Sequence, residues 1–248
     1  MIINEVLNNI SDIIFPPQCI SCSSALQSIH EKVFCSACRE KINFLTGSLC
    51  PICGIIFPDS PSENHLCGNC LVKKHYFSFA RAVAGYETII LNAIHQFKYG
   101  RDLSIGSRLA SFMAAFPFPD LDPNDYSLII PVPLHIKKLR KRGFNQSMIL
   151  AYSLGKKWQI PVKFSLLKRC KFTLTQTGLD RKDRERNIKG AFEVTDRTKI
   201  AGRNIILVDD VYTTGATLNE CAKMMIKAKA QKVAVLTLAR VLQNSIIY

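Results

Sequence analysis

The chain has 248 residues, 48% of them apolar, enough to bury one sizeable core and carry a smaller appended module. Lysine and arginine number 33 against 19 acids, an excess that favours anionic partners such as phosphates, nucleotides or nucleic acid over cationic ones. The start, MIINEVLNNISDIIF, lacks the basic segment and cleavage site of an export signal, and no apolar run reaches the length of a membrane span; the chain reads as cytoplasmic, with no membrane span.

Ile3, Val6, Leu7, Ile10, Ile13 and Ile14 lie at helical spacing and predict an amphipathic helix within residues 1–18. Eight of the ten cysteines follow as four C-x-x-C pairs: Cys19/Cys22, Cys35/Cys38, Cys50/Cys53 and Cys67/Cys70. Two thiolates on one tight knuckle converge on a tetrahedral Zn²⁺ and a second knuckle completes the four sulfurs, so this set fits two structural zinc ions in a module over residues 19–75. Intervals of 12, 11 and 13 residues permit sequential or cross-braced pairing of the knuckles; sequential pairing is favoured, because each half then reads as a self-contained ribbon. Disulfides are disfavoured without an export signal. Cys170 and Cys221 read as ordinary thiols, and His30 and His65 as incidental beside a complete cysteine set.

Beyond the cysteines, FSFARAVAGYE alternates in strand fashion around Phe77, Phe79, Arg81 and Val83, and ETIILNAIHQFKYG has a helical period through Ile90, Ile94 and Phe97. A second helix is predicted over residues 102–115. The pattern then repeats: YSLIIPVPL as a buried strand, GFNQSMILAYSLGKKW as a helix, VKFSLL as a strand, NIILVDD as a central strand, TLNECAKMMIKAKA as a helix and KVAVLTLAR as the last strand. Short apolar strands separated by helices make an α/β fold, a parallel sheet covered on both faces, with ligands beyond the carboxyl ends of its strands. An arginine-rich insert, about residues 169–200, is too long for an ordinary connection and reads as a lid.

The stretch IILVDDVYTTGATL sets Asp209 and Asp210 at the end of a buried strand, and its TTGAT turns directly into a helix. Backbone N–H groups of Thr213, Thr214, Gly215, Ala216 and Thr217, the threonine hydroxyls and the helix N-terminus suit a phosphate dianion, with Gly215 allowing close backbone approach. Two carboxylates do not themselves attract phosphate, so they face paired hydroxyls, as on a ribose, or a magnesium ion beside them. The loop lacks a Walker A lysine and the spaced glycines of a dinucleotide fingerprint.

IILVDDVYTTGAT resembles the phosphoribosyl pyrophosphate (PRPP) motif of the type I phosphoribosyltransferases along its whole length. VPLHIKKLRKRGFNQS, TLTQTGLDRKDRERNIKGAF and LNAIHQFKYGRD, with the cysteine knuckles, resemble the ComF family, whose competence-associated members join a zinc module to a phosphoribosyltransferase domain. The match takes in Arg140, Arg142, Gly143, Phe144, Asn145 and Gln146 after the first core strand, and Gln176, Arg184, Arg186, Asn187 and Phe192 in the insert. Four knuckles, where some members carry ligands for one zinc ion, are the visible departure. The resemblance implies a type I phosphoribosyltransferase-like domain over residues 76–248 that binds PRPP with Mg²⁺. Asp209 and Asp210 would hold the ribose hydroxyls, residues 213–217 the 5-phosphate, and the loop around Val132 and Pro133 the pyrophosphate.

Lys137, Lys138, Arg140, Lys141 and Arg142 follow that loop, and the insert adds Arg181, Lys182, Arg184 and Arg186. Cations there would stabilise the leaving pyrophosphate; Arg184 and Arg186 are the candidates for catalysis beside the two acids. His135, a lone histidine beside a loop, reads as structural before it reads as a general base. The competing reading is a non-catalytic adaptor of DNA uptake that binds PRPP and single-stranded DNA, with Tyr99, Phe144 and Trp158 facing the strand and competence proteins such as a DNA-uptake helicase as partners.

Overall fold

The computed structural model describes residues 17–26, 33–57, 64–100, 103–171 and 186–242. The helix expected near the N-terminus, His30, and the insert positions Gln176, Arg181, Lys182 and Arg184 lie outside the described residues. Four parallel strands form the central sheet: β1 (Phe79–Gly85), β2 (Leu128–Pro131), β5 (Asn204–Tyr212) and β6 (Lys232–Arg240), in the order β1-β6-β5-β2. Strand side chains alternate between faces. Ile129, Ile206, Ala234 and Leu236 join a core with α3 (Thr88–Tyr99), α4 (Leu103–Ala115) and α6 (Gln146–Trp158). Leu128, Ile130, Ile205, Leu207, Val233 and Val235 join a second core with α7 (Ala216–Lys227). Both faces being covered, β1 is buried at all seven positions; Ala80 and Ala82 are as deep as their neighbours, so the alternation expected there is absent.

The helices follow their apolar period. Helix α3 buries Ile90, Ala93, Ile94 and Phe97, and α7 buries Leu218, Cys221, Ala222 and Met225, each set at i, i+3, i+4 and i+7. One expected strand is corrected. In VKFSLL, Val162 makes a single parallel bridge to Ile129, and Phe164–Leu166 is a 3₁₀ turn. That turn leaves Phe164 exposed and buries Leu166 and Leu167 together, so the chain leaves the central sheet. It continues as β3 (Leu167–Arg169), antiparallel to β4 (Phe192–Val194) in a two-stranded ribbon beside α7. The two ends of the arginine-rich insert therefore start from a paired base.

The cysteines gather as Cys19, Cys22, Cys35 and Cys38 and as Cys50, Cys53, Cys67 and Cys70, the sulfurs of each set within 4.8 Å of one another. This is the sequential pairing. All eight are free thiols, and the Sγ–Sγ distances of 3.7 Å for Cys22–Cys35 and 3.6 Å for Cys53–Cys67 suit one tetrahedron. Zinc–sulfur bonds of about 2.3 Å require an edge of about 3.8 Å. His65 stacks on Phe57 outside the cluster, whereas His75 Nε2 lies 3.4 Å from Cys70 Sγ. The short α1 (Ser36–Glu40) and α2 (Gly68–Val72) each begin beside a ligand cysteine.

The chain from Asn43 into the first knuckle of the second cluster runs along the outer edge of β1. Leu45 N–H donates to Val83 O (3.0 Å), Gly85 N–H to Asn43 O (2.8 Å) and Ala80 N–H to Ile52 O (2.7 Å), satisfying an edge that would otherwise be open to another chain. The clusters consequently straddle the sheet, the first in the core with α3 and α4, the second in the core with α7. Gly54 has φ +68°, and a Cβ on it would lie 2.3 Å from Ala80 O, so only glycine fits that contact.

Purified protein should carry two zinc ions per chain, with Cys19→Ser and Cys67→Ser each losing one by elemental analysis. Because all four cysteines of the second set are buried while Cys22 is exposed, a chelator should strip the first ion faster. Release of both ions at one rate would contradict that ordering.

Candidate functional site at the ends of β2 and β5

Asp209 and Asp210 stand near the carboxyl end of β5 beside the end of β2, where open α/β sheets bind ligands. Each acid has its own partner. Ser147 Oγ, near the start of α6, donates to Asp209 Oδ1 (2.7 Å), and Lys98 Nζ, one residue before the end of α3, lies 2.5 Å from Asp210 Oδ2. The side chains of Lys98 and Asp210 are 18% and 13% exposed, so this ion pair is largely withdrawn from water. Burial, and then the adjacent Asp210 charge, push the Asp209 carboxyl up to about 7, against the Ser147 hydrogen bond and the Lys98 ammonium. Burial pulls the Lys98 ammonium down, but Asp210, with help from Tyr86 and Asp209, turns the net direction upward and keeps it charged.

After β2, Val132 N–H donates to Val208 O (2.9 Å), while Val132 O accepts from Asn145 Nδ2 (3.0 Å). Asn145 also caps α6 by accepting from Ser147 N–H, so one side chain holds the loop through Val132 and Pro133 against the helix that supplies Ser147. His135 caps α5 (Ile136–Arg142), its Nδ1 accepting from Lys137 N–H (3.2 Å); burial, Arg169, Lys137 and Lys138 hold its imidazole below the usual range. That is the structural role.

Four cations form a group that reaches the acids through Lys98 and Arg169. Burial, Arg169, Arg142 and Lys98 depress the Lys138 ammonium. Arg169, at the end of β3, is depressed by burial and opposed by Cys221 and Asp209, and its guanidinium lies over Phe192 (5.4 Å) across the base of the insert. Arg142 donates to Gln146 Oε1 (2.8 Å) and lies over Tyr99 (5.4 Å). Lys98, Ser147 and Arg169 were not assigned from sequence. Lys98 did carry a signal: it continues the four-residue step from Ile90 and Ile94, a charged group on a buried helix stripe. Arg186 is exposed, and Arg184 lies outside the described residues.

Beyond the acids the chain turns through Thr213 and Thr214 into α7, with Thr214 Oγ1 accepting from Ala216 N–H (3.4 Å) and Gly215 as N-cap at φ +74°. The glycine has a further cause besides close approach to a ligand: a Cβ there would lie 2.3 Å from Tyr212 Oη. The loop rests on a buried tyrosine. Of the aromatic residues considered for a nucleic-acid strand, Phe144 stacks on Phe97 (5.6 Å) and Trp158 packs edge-on to Phe118 (6.4 Å) in the core, which leaves Tyr99 exposed.

The arrangement is a pair of carboxylates between the N-terminus of a twelve-residue helix and a set of cations, suited to a ligand with both hydroxyl and phosphate groups. Among the described residues no third carboxylate, histidine or cysteine joins the pair, so the acids fit a magnesium ion carried in on phosphates better than a dedicated protein cage.

Residues 10–71 match the double zinc ribbon domain and residues 139–245 the phosphoribosyl transferase domain. The chain is 32% identical to Competence protein F of Haemophilus influenzae over 90% of its own length and 96% of that protein. It is 32% identical to the DNA utilization protein YhgH of Shigella flexneri (92% and 98% covered) and 31% identical to Competence protein ComFC of Bacillus subtilis (85% of each). No helix among the described residues is long and apolar enough to cross a membrane. Matched at 31–32% identity along most of its length and by both domain descriptions, the chain belongs to the ComF family.

Proposed function

We propose that the chain binds Mg²⁺-PRPP and transfers its ribose 5-phosphate to a nucleophile in the cytoplasm, releasing pyrophosphate, in the setting of DNA uptake. The observation that carries this reading is the half-buried Asp209–Asp210 pair, held by Ser147 and Lys98 between a helix N-terminus and a group of cations that Arg169 and Lys98 bring to it. The names of the competence and DNA-utilization relatives support the setting.

In this reading the ribose 2′ and 3′ hydroxyls donate to the two carboxylates, and the turn at Thr213–Thr217 with the start of α7 receives the 5-phosphate. The diphosphate lies toward the loop at Val132 and Pro133 and the four cations. Asp209 and Asp210 are the carboxylates that would hold a magnesium ion brought in with the phosphates, and such an ion would supply further charge neutralisation. The C1–O bond breaks with its electron pair leaving on pyrophosphate, C1 gains oxocarbenium character, and the nucleophile forms the new bond at C1 and loses a proton. Lys98, Lys138, Arg142 and Arg169 stabilise the charge that grows on the leaving oxygen, and the nearby carboxylates the positive charge on the ribose. Arg184 and Arg186 of the insert would add to the leaving-group cations.

Ionised Asp209 is the form that accepts from a ribose hydroxyl. Its value of about 7 therefore makes PRPP affinity rise as pH climbs through 7 and level off above it. For stability the sign is opposite: the folded chain holds this proton more tightly than the unfolded chain, whose value is near 3.8, so the contribution of Asp209 falls from about pH 4 to about 7. Calorimetry with Asp209→Asn should show the inflection near 7 removed, leaving the ligand phosphate's own ionisation near 6. Asp209→Asn with Asp210→Asn should abolish PRPP binding while two zinc ions remain bound; unchanged affinity would remove the acids from the site.

Lys138→Met with Arg169→Met should weaken PRPP more than ribose 5-phosphate, by over tenfold, since each charge-assisted contact contributes roughly 1.5–3 kcal/mol. A DNA-binding adaptor would instead keep its PRPP affinity and lose salt-sensitive single-strand binding in these variants. Exposed Tyr99 beneath the Arg142 guanidinium is the feature that such a strand would use, and Tyr99→Ala tests it in the same titration.

A further inference from the structure

Arg240 closes β6 and is 6% exposed. Its Nη1 donates to Cys53 O (2.5 Å) and its Nη2 to Cys53 Sγ (3.4 Å). Among the described residues no carboxylate pairs with this guanidinium, and a buried cation without a counter-charge is costly. A metal-bound Cys53 sulfur supplies that charge, and a hydrogen bond to a ligand atom in turn fixes the ligand's orientation.

The same guanidinium lies over the ring of Tyr212, 4.2 Å from its centroid. Tyr212 is 4% exposed and pairs with Arg240 across the β5–β6 ladder, where Val241 N–H donates to Tyr212 O (2.9 Å). The phenol oxygen rests against Gly215, the N-cap of α7, closely enough that a Cβ there would sit 2.3 Å away. One buried path therefore runs from Cys53 through Arg240 and Tyr212 to the turn at 213–215. A second contact reaches α7 from the chain just beyond Cys70: Tyr76 N–H donates to Asn219 Oδ1 (2.8 Å) and Asn219 Nδ2 to Lys74 O (3.3 Å).

The first cysteine set is anchored elsewhere. Gln96 Nε2 donates to Ile20 O (2.7 Å), and Arg108 Nη2 to Gln18 O (2.7 Å) and Val33 O (3.3 Å), all on the α3 and α4 side of the sheet. Two metal sites of like composition are thus attached to different parts of the molecule.

We propose that Arg240 is a positioning residue through which the metal at Cys50, Cys53, Cys67 and Cys70 braces the 213–217 turn, a task the first cysteine set does not share. The proposal rests on reading that turn as the 5-phosphate site. With metal bound, Arg240 is held on Cys53, Tyr212 is clamped beneath the guanidinium, and Gly215 is fixed at its positive φ. Loss of that metal frees the guanidinium and with it the floor of the turn. Coupling between two sites is reciprocal, so a ligand on the turn must strengthen retention of the second metal by the factor by which that metal strengthens the ligand.

The test uses the two-zinc protein and ribose 5-phosphate. Calorimetry measures binding, and a chromophoric chelator then follows zinc release with and without saturating ligand; the Cys19→Ser protein, which keeps only the second ion, assigns the phases. Ribose 5-phosphate should slow release from the second site roughly fivefold or more and leave the first unchanged. Arg240→Lys, which keeps the charge but loses the planar fork and the stacking, should weaken ribose 5-phosphate at least fivefold and abolish its effect on zinc release. Arg108→Met should leave ribose 5-phosphate affinity alone. Binding of ribose 5-phosphate with both release phases unchanged, or with both slowed equally, overturns the proposal. Failure of the wild-type protein to bind ribose 5-phosphate removes the 5-phosphate reading of residues 213–217 and this proposal with it. The wild-type release experiment keeps the test decisive should Arg240→Lys not fold.

Discussion

Two adjacent carboxylates near the end of a buried parallel strand are the constraint around which this molecule is built. Placed among apolar neighbours and next to one another, they cannot both be ionised without nearby donors and cations. Three separate elements meet that demand: α6 brings the Ser147 hydroxyl, α3 brings the Lys98 ammonium, and β3 brings Arg169 within reach of Asp209. Because the three come from different parts of the chain, the positions of two helices and a ribbon are tied to one point on β5. The site is preorganised by the same contacts that keep the acids soluble in the fold.

The cysteine-rich segment belongs to that arrangement more closely than an appended module would. Its middle covers the open edge of β1, and two arginines from the sheet reach into it. Arg240 takes the carbonyl and sulfur of Cys53. Arg81, also buried, donates to Ala80 O (2.8 Å), Cys50 O (3.4 Å) and Pro51 O (3.3 Å) and pairs with Asp120. Interior guanidiniums need several acceptors at once, and a knuckle whose carbonyls turn outward around a metal offers them. The sheet edge and the metal ribbon therefore satisfy one another's polar groups.

Periodicity made the repeating elements readable. The stripe Ile90, Ala93, Ile94 and Phe97 can only be one helix face, and IILV ahead of two acids can hardly be other than a central strand. The C-x-x-C spacing gave the metal ligands, leaving their pairing to be settled by the chain path, since 12, 11 and 13 residues span either arrangement. VKFSLL misled because its alternating apolar residues fit a strand equally well, and the 3₁₀ turn that redirects it depends on the core below Leu166 and Leu167. Ser147 and Arg240 were harder still. They lie 62 and 187 residues from their partners Asp209 and Cys53, and such distant polar contacts leave no local periodic trace.

Charge sets the kind of ligand this site would complete. Lys138 feels the charges of Lys98, Arg142 and Arg169, and of these Lys98 and Arg169 reach the two carboxylates, one of which holds its proton up to about pH 7. Burial, and then repulsion from Arg169, Arg142 and Lys98, depress Lys138, so the arrangement gains most from an anion with several negative charges. A neutral sugar would satisfy the acids and leave the cations opposed to each other. A plain phosphate would do the reverse. A ligand that carries hydroxyls at one end of a short span and a diphosphate at the other meets both demands, and each half favours the other by screening the charge it would otherwise face.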